Sequence, residues 1–408
     1  MTASKLKTIT GGTVTTPRGF LAGATCAGIK KRSMGTLDLG ILYSEAPCTA
    51  AGVFTRNRVK AAPVILCRRN LESGSARAIV VNSGCANACT GEQGTADARE
   101  TGAITASKLG LPPGEVLVSS TGIIGFTLPM ERVREGIARI TLSAEGGHDL
   151  AKAIITTDRF PKETAFQATL GPDKAEAAIG GIAKGSGMVH PDMATMLCFL
   201  TTDAAVEPGF LREALRKAVD VSFNMVTIDC DTSPNDMVII LANGLSGTGF
   251  IESGNPGAED FEKALQETCV HLAKIIAGDG EGATRLIEVA VEGALTLADA
   301  RKGARAVAGS SLVKAAVHGS DPNWGRIIAA LGRSGAEMKE SATDLYLDSL
   351  CLVKGGSPQS FDHERARALL KGNEVPIRLY LNLGDASATA WGCDLSPEYV
   401  TINSEYTT

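Results

Sequence analysis

The chain is organised around the stretch Lys184-Gly-Ser-Gly-Met-Val-His-Pro-Asp-Met-Ala-Thr-Met-Leu-Cys-Phe-Leu-Thr-Thr-Asp203. A glycine-interrupted turn is followed by a His-Pro-Asp corner, and Thr195 then opens an apolar run that ends at Leu200. Cleavage of the Ala194–Thr195 peptide bond would give Thr195 a free α-amine beside its own hydroxyl, which places base and nucleophile on one residue. A threonine before an apolar run is also ordinary β-strand composition. These residues alone therefore allow both interpretations.

The composition is typical of a soluble globular protein. The chain has 408 residues, enough for a large core and two domains, with 44% hydrophobic residues, 21% charged residues and a net charge of -5. This balance excludes a disordered chain and gives no basic stripe for nucleic acid. The N-terminus lacks an apolar signal core, and no run reaches the roughly 18 apolar residues of a membrane span. We expect a cytoplasmic protein with no nucleic-acid or membrane partner.

The cysteines and histidines give no metal or disulfide pattern. Of ten cysteines, Cys85 and Cys89 lie four apart, and the others are scattered. In a chain without a secretory signal this spacing indicates reduced, mostly buried thiols. None of the five histidines stands in a His-Glu-x-x-His arrangement. We expect no metal and no cofactor.

Two strands in the first third of the chain lead into small polar loops. Ala76–Asn82 and Glu115–Ser119 are predicted buried strands, and the second leads into Ser-Thr-Gly at residues 120–122. Two nearby glycines predict a tight turn here. The Gly122 N–H and the Thr121 hydroxyl could stabilise a developing negative charge, as in an oxyanion hole. The same three residues are also common in turns without any catalytic role.

Periodicity predicts the remaining elements. Helical spacing of apolar residues predicts helices at Gly94–Leu109, Pro129–Ile140, Pro208–Ser222, Ala258–Ala277, Trp324–Leu331 and Phe361–Leu370. Short apolar runs predict strands or extended segments at Leu37–Tyr43, Val64–Cys67, Ala165–Leu170, Glu176–Ala183, Met237–Leu241 and Leu286–Val291. After a boundary near residues 290–300, strands at Asp344–Leu352, Val375–Leu383, Thr389–Cys393 and Tyr399–Ile402 indicate a small α+β unit.

Three charged positions are candidate ligand contacts. Lys184 beside its glycine turn is either a solvated lysine or a buried clamp for an anion. The loop at residues 278–285 is rich in glycine, but it stands between a helix and a strand, so it is no phosphate loop. Its acids, Asp279 and Glu281, could receive an ammonium group or simply face solvent. The Asp229-Cys-Asp231 segment lacks a calcium-loop pattern and favours a hydrogen-bonded turn.

Several motifs together resemble one family, the ornithine acetyltransferases of arginine biosynthesis. The resemblance covers nearly the whole chain and also includes Ala27–Lys31 and Phe54–Arg58. Its main motifs are Ser-Thr-Gly at 120–122, Lys-Gly-Ser-Gly-Met-Val-His-Pro-Asp-Met-Ala-Thr-Met-Leu at 184–197, Gly-Asp-Gly-Glu-Gly-Ala-Thr-Arg at 278–285, His-Gly-Ser-Asp-Pro-Asn-Trp-Gly-Arg at 318–326 and Asn-Ser-Glu-Tyr-Thr-Thr at 403–408.

The resemblance implies an α/β fold of the layered αββα type, similar to N-terminal-nucleophile enzymes, with smaller C-terminal α+β units. The main catalytic domain would be residues 1–290, and residues 291–408 would return to the active site. Self-cleavage between Ala194 and Thr195 would give chains 1–194 and 195–408. Thr195 would then carry the acetyl group in a ping-pong cycle, with Thr121 and Gly122 as the oxyanion pair.

The implied substrates are N2-acetylornithine and glutamate, and acetyl-CoA is a further substrate in some members of the family. The implied contacts are Thr157 (or its neighbour Thr156), Lys184, Thr195, Glu281, Asn403 and Thr408. Lys184 would pair with a carboxylate and Glu281 with the ornithine ammonium. The resemblance also suggests an α2β2 assembly. A self-processing amidohydrolase or aminopeptidase with the same nucleophile is the alternative enzyme, and a non-enzymatic binding protein is a third possibility.

Overall fold

A computed structural model describes residues 6–30, 35–190 and 196–405. The predictions for Ala194, Thr195 and Thr408 lie outside these residues. The strands, numbered in chain order, are β1 (Leu6–Thr8), β2 (Phe20–Thr25), β3 (Leu39–Ser44), β4 (Thr49–Phe54), β5 (Ala78–Cys85), β6 (Val116–Ile123), β7 (Lys162–Leu170), β8 (Ala175–Lys184), β9 (Leu197–Thr202), β10 (Met237–Ala242), β11 (Leu286–Ala294), β12 (Asp344–Leu347), β13 (Leu350–Lys354), β14 (Ser357–Pro358), β15 (Glu374–Tyr380) and β16 (Ala386–Cys393). The helices are α1 (Ala62–Asn70), α2 (Gly91–Leu109), α3 (Met130–Arg139), α4 (Gly147–Ile154), α5 (Pro208–Val221), α6 (Ala258–Gly278), α7 (Leu297–Ala308), α8 (Ser311–His318), α9 (Trp324–Gly332), α10 (His363–Leu370) and α11 (Pro397–Glu405).

The strands of the described residues form three sheets. The first is six-stranded, in the order β1-β7-β8-β9-β10-β4, and the second is four-stranded, in the order β2-β3-β5-β6. The third is six-stranded, in the order β14-β13-β12-β15-β11-β16. In the first sheet β9 pairs antiparallel with β8 and parallel with β10. The apolar run after Thr195 is therefore an interior strand.

The central strands β9 and β10 are buried on both faces, which explains their unbroken apolar sequences. Side chains of a strand alternate between its two faces. One set packs with the four-stranded sheet in a shared core and includes Leu197, Phe199, Met237 and Ile239. The other set packs with α5 and α6 and includes Cys198, Leu200, Val238 and Ile240. The first two sheets are therefore stacked face to face.

Helices cover the outer faces of this stack. The outer face of the four-stranded sheet packs against α2 and α3 through Ala106, Val133 and Ile137. The outer face of the first sheet packs against α5 and α6 through Leu215, Leu265 and Leu272. The layers therefore run helix, sheet, sheet, helix, which confirms the predicted αββα sandwich.

The third sheet is built from residues 286–393 and shares a hydrophobic core with the first sheet's helices. Its strand β11 pairs parallel with β15 and antiparallel with β16. Helices α7 and α9 contribute Ala304, Val307 and Leu331 to that core. The division of the chain into domains 1–290 and 291–408 stays a prediction.

Three of the strand predictions are wrong. Val64–Cys67 lies in α1, where Pro63 in the first turn has the φ angle that a helix start requires. Asp344–Leu352 is not one strand but the hairpin of β12 and β13, with Asp348 at a φ of 52° in the turn. Tyr399–Ile402 lies in α11, although its residues favour strands, because Pro397 starts a helix. Tertiary packing outweighs intrinsic propensity at these places.

One buried ion network ties the first sheet to α6. The Lys162 ammonium lies 2.6 Å from Asp158 Oδ1 and 2.6 Å from Asp279 Oδ2, and all three side chains are inaccessible to solvent. Lys162 is the first residue of β7, Asp279 follows α6, and Asp158 precedes β7. Arg159 adds a second cation, with Nε 2.7 Å from Asp279 Oδ1. Two carboxylates thus depend on Lys162 for their charge compensation.

We expect Lys162→Met to lower the free energy of unfolding by about 3–5 kcal/mol, because it leaves two buried carboxylates without that cation. Denaturant titration of the purified protein measures this loss. The matched control is Lys152→Met, whose partner Asp149 and own side chain are both 56% exposed. Its loss should stay below about 1 kcal/mol. Equal losses in the two variants would contradict the role given to Lys162.

Candidate active site

The Lys184 side chain is buried among three chain segments. It lies at the end of β8, is 4% exposed, and its ammonium donates to Thr156 Oγ1 at 2.9 Å and to Thr121 Oγ1 at 3.4 Å. Its residue partner across the sheet is Leu197, the first residue of β9. The solvated interpretation of Lys184 is therefore wrong. The lysine sits beside the predicted oxyanion residue and beside the start of the strand that follows Thr195.

Asp158 supplies the nearest negative charge. Its Oδ2 lies 3.9 Å from the Lys184 ammonium, and its Oδ1 accepts from the Gly185 N–H at 2.7 Å. Burial lowers the pKa of Lys184, and the Asp158 charge acts in the opposite direction. Burial also works to raise the pKa of Asp158, but the Lys184 and Lys162 charges outweigh it and bring that pKa to about 2. Because this pKa is below its unfolded value, the resulting stabilisation is present above about pH 4 and is lost as the pH falls towards 2.

Thr121 and Gly122 lie inside strand β6, so the predicted turn at 120–122 is wrong; the chain turns afterwards, at residues 124–125. Gly122 has a φ of 130° and pairs with Gly84 of β5. A Cβ on Gly122 would lie 2.3 Å from the Gly84 carbonyl carbon, so no other residue fits without a shift of the backbone. This close approach holds Thr121, which is buried, within reach of Lys184.

Glu281 is held against the turn that follows Lys184. Its N–H donates to the Ser186 carbonyl at 2.8 Å, and a Cβ on Gly187 would lie 2.4 Å from Glu281 Oε2. Glu281 is 8% exposed, and its charge is among those that act on Lys184. The interpretation of Glu281 as an exposed loop acid is therefore wrong. Thr157 reaches the same turn, with its Oγ1 2.7 Å from Ser186 Oγ.

The C-terminal helix α11 reaches this loop. Asn403 Nδ2 donates to Glu281 Oε2 at 2.8 Å, and the Tyr399 hydroxyl, one turn earlier, donates to Asp229 Oδ2 at 3.3 Å. Burial raises the pKa of Tyr399, and the Asp229 charge adds to this effect. Asp229 also accepts from the backbone N–H groups of Met188 and Val189. The predicted hydrogen-bonded acidic turn is confirmed, and it fastens the segment that leads to Thr195.

A second carboxylate, Asp394, anchors the far end of the Glu281 loop. Its oxygens accept from the Thr284 hydroxyl at 2.7 Å and from the Arg285 N–H at 2.9 Å. His318 Nδ1 lies 2.7 Å from the same carboxylate. Burial works to raise the pKa of Asp394, but these hydrogen bonds lower it overall. The motif at 318–326 therefore supports the acidic loop from the third sheet.

Asp236 is a buried carboxylate directly before β10. Its Oδ1 accepts from the N–H of Met196 at 3.0 Å, and Met196 is the residue after Thr195. Burial raises the pKa of Asp236 well above its ordinary range. Ser233 acts on the same carboxylate, whose Oδ2 has no hydrogen-bond partner among the described residues. A carboxyl group with a raised pKa therefore lies beside Met196, the residue directly before β9.

The structure therefore brings together Thr121, Gly122, Thr157, Lys184, Glu281 and Asn403 through direct contacts or one intervening residue. The sequence analysis did not identify Lys162, Ser186, Asp236 or Tyr399 as residues of the site. Thr156 was open as an alternative to Thr157, and the structure shows Thr156 on Lys184 and Thr157 on Ser186. No sequence pattern indicated the role of Lys162, since its second partner Asp279 lies 117 residues away. Tyr399 was hidden by the wrong strand prediction.

The described residues were compared with the side-chain clusters that hold metal ions and with helices that span membranes. Residues 6–30, 35–190 and 196–405 contain no group of three or more His, Cys, Asp or Glu side chains arranged to hold a metal ion. None of the helices within these ranges is both long and apolar enough to cross a bilayer. The site's charges are those of lysine, carboxylate and arginine side chains.

Known proteins resemble this chain over nearly its whole length. The profile of the ArgJ family matches residues 21–408. The arginine biosynthesis bifunctional protein ArgJ of Symbiobacterium thermophilum is 55% identical over 399 residues, covering 97% of this chain and 99% of that protein. The protein of the same name from Dehalococcoides mccartyi is 52% identical over 405 residues, covering 99% of this chain and 100% of its own length.

Among solved structures, the ornithine acetyltransferase of Mycobacterium tuberculosis complexed with ornithine is 42% identical, with a TM-score of 0.42. The match covers 46% of this chain and 98% of that one. The family profile and the full-length relatives both identify the same family, and they agree with the resemblance seen in the motifs. The chain belongs to the ArgJ family.

Proposed function

We propose that this protein moves an acetyl group from N2-acetylornithine to glutamate through an acetyl ester of Thr195. As a member of the ArgJ family it is an enzyme of arginine biosynthesis. The observation that carries the proposed reaction is the convergence of Lys184, Thr121 and Glu281 at the start of β9. Lys184 pairs with Leu197, which stands only two residues after Thr195.

The nucleophile is generated by cleavage of the chain before Thr195. The new α-amine has an ordinary pKa of about 8, so a substantial fraction is unprotonated near neutral pH. It can take the proton from the Thr195 hydroxyl without help from a histidine. Asp236, which holds the next residue through the Met196 N–H, fixes the position of this terminus.

The first half-reaction transfers acetyl to the enzyme. The Thr195 oxygen attacks the acetyl carbonyl carbon, and its proton passes to the α-amine. The negative charge on the carbonyl oxygen is stabilised by the Thr121 hydroxyl and the Gly122 N–H. The C–N bond of the amide then breaks, ornithine leaves with the proton from the α-amine, and acetyl-Thr195 remains. In the second half-reaction the glutamate amine attacks this ester, and the same steps run in reverse.

The charges around the site match the two substrates. N2-acetylornithine and glutamate share an α-carboxylate, which the buried Lys184 ammonium is suited to bind. They differ at the side-chain end, where ornithine carries an ammonium and glutamate a carboxylate. Glu281 attracts the ornithine ammonium, and the Asn403 amide on its Oε2 can supply donors to glutamate. Thr157 and Thr408 complete the proposed contacts.

Some properties of the proposal extend beyond the described residues. We infer that the cleaved chains assemble as α2β2 and that the enzyme acts in the cytoplasm. Acetyl-CoA is a second acetyl donor in this proposal, in keeping with the word bifunctional in the names of the relatives. An amidohydrolase with the same nucleophile is the competing function, and it differs in its acceptor, which is water.

Incubation with N2-acetylornithine and glutamate should yield ornithine and N-acetylglutamate in equal amounts, because the acetyl ester passes to the amine. Chromatography with mass detection measures both products. The control is the same incubation without glutamate. Ornithine release should then stop after one acetyl group has been transferred to each enzyme molecule. Sustained release of free acetate instead would establish the amidohydrolase.

Intact-mass measurement should find two chains, 1–194 and 195–408, in the wild type. Thr195→Ala should remain a single chain of 42.2 kDa and have no acetyl-transfer activity, because it lacks the hydroxyl. Thr195→Ser keeps a hydroxyl and should still be cleaved. Full activity in an uncleaved Thr195→Ala protein would rule out the acetyl-threonine route.

Thr121→Val should lower kcat/KM for acetyl transfer by about 10²–10³, since one of the two oxyanion donors is lost while the side-chain volume is nearly kept. Cleaved protein is used, so that the effect reports on transfer. Thr121→Ser retains the hydroxyl and should lose much less. If valine and serine have equal effects, Thr121 contributes through packing and not through its hydroxyl.

A further inference from the structure

A second basic site lies outside the Lys184 cluster. A cavity of about 240 Å³ opens between the C-terminal ends of α7 and α9 and the residues His190 and Cys230. The side chains that give it its chemical character are His190, Cys230, Lys302, Arg305, Arg333 and Ser334. We call this cavity the basic pocket. Its lining, as far as the described residues show it, contains one lysine, two arginines and one imidazole, and no acidic residue.

The positive charge of the basic pocket is only partly compensated. Lys302 lies 3.8 Å from Asp299 and donates to the Gly335 carbonyl at 3.3 Å. Arg333 donates to the Ala306 carbonyl at 3.5 Å, and neither it nor Arg305 forms an ion pair with any described residue. The two helix C-termini add about half a negative charge each. At least one full positive charge therefore remains for a ligand.

The walls of the basic pocket are fixed by hydrogen bonds. His190 Nδ1 lies 3.0 Å from Thr227 Oγ1, and the Cys230 thiol donates to the Gly309 carbonyl at 3.4 Å. Cys230 follows Asp229, the carboxylate that holds Met188 and Val189. The pocket thus shares its scaffold with the active-site segment without using Lys184, Glu281 or Asn403.

We propose that the basic pocket binds a phosphate dianion, either free or as a monoester. Two guanidinium groups and an ammonium around a small concave volume suit three phosphate oxygens, and guanidinium pairs with phosphate through two parallel hydrogen bonds. A cavity of 240 Å³ accommodates one phosphate group with its ester carbon and ordered water. A carboxylate has only two oxygens and would engage fewer of these three donor groups than a phosphate can.

The occupant lies within reach of the proposed chemistry. His190 stands five residues before Thr195, so the chain limits their separation to roughly 18 Å. Two sources of the dianion fit this placement: free inorganic phosphate, or the phosphate at the end of an extended nucleotide-type ligand. The dianion chemistry is the same in both cases, and the site itself does not depend on the acetyl-transfer function.

Calorimetric titration at low salt, with no acetyl donor or acceptor present, tests the site independently of activity. The probes are inorganic phosphate and adenosine 3′,5′-bisphosphate. Arg305→Gln and Arg333→Gln should each weaken binding about ten- to a hundredfold, because each removes a charged hydrogen-bond donor. Arg301→Gln is the matched control, since Arg301 lies on the same helix but does not line the pocket.

Tight binding of phosphate itself would identify a free-anion site, and binding of the bisphosphate alone would identify a nucleotide-type ligand; both support the proposal. Absence of binding of either probe to the wild type would overturn it. Binding that is equally strong in all three variants would overturn it as well. If Arg305→Gln and Arg333→Gln lower only the unfolding free energy, the arginines serve the helix C-termini and the proposal fails.

Discussion

The site depends on the two ion pairs that the Lys162 ammonium forms. It bridges Asp158 and Asp279 at 2.6 Å each, in a region closed to solvent. Asp158 in turn holds the Gly185 N–H and faces Lys184, while Asp279 lies two residues before Glu281. Lys184 and Glu281, which we propose as the contacts for the substrate carboxylate and the ornithine ammonium, are therefore positioned from the two ends of one ion network. A displacement at Lys162 would move both.

This arrangement also resolves an electrostatic conflict. Burial makes a charged lysine costly, which is why the pKa of Lys184 is lowered. Asp158 keeps its charge because two lysines face it, and that charge limits the cost at Lys184. The network holds a buried lysine whose charge Asp158 compensates from 3.9 Å, and no carboxylate of the described residues forms a closer ion pair with it. A substrate carboxylate can supply that partner.

Periodicity predicted most of the individual helices and strands, whereas the layered fold and the candidate site residues came from the motif resemblance. Long periodic segments such as α6, and buried runs such as β10, give local signals that packing does not alter. The site residues came from motif resemblance, since nothing local distinguishes Glu281 from an exposed loop acid. The errors at Val64–Cys67 and Tyr399–Ile402 have one cause: β-branched and aromatic residues favour strands, while a nearby proline and tertiary contacts decide for a helix. Ion pairs between distant residues, such as Lys162 with Asp279, leave no periodic signal at all.

The sheet order explains why cleavage before Thr195 is compatible with an intact fold. Strands β9 and β10 would belong to the second fragment, yet they lie between β8 and β4, which belong to the first. Each is paired along six residues with a strand of the other fragment. Phe199 and Ile239 are fully buried against the four-stranded sheet, which comes wholly from the first fragment. The fragments would therefore stay joined by ladder hydrogen bonds and by a common core. Cutting the chain at this point releases an α-amine without releasing the strand that carries it.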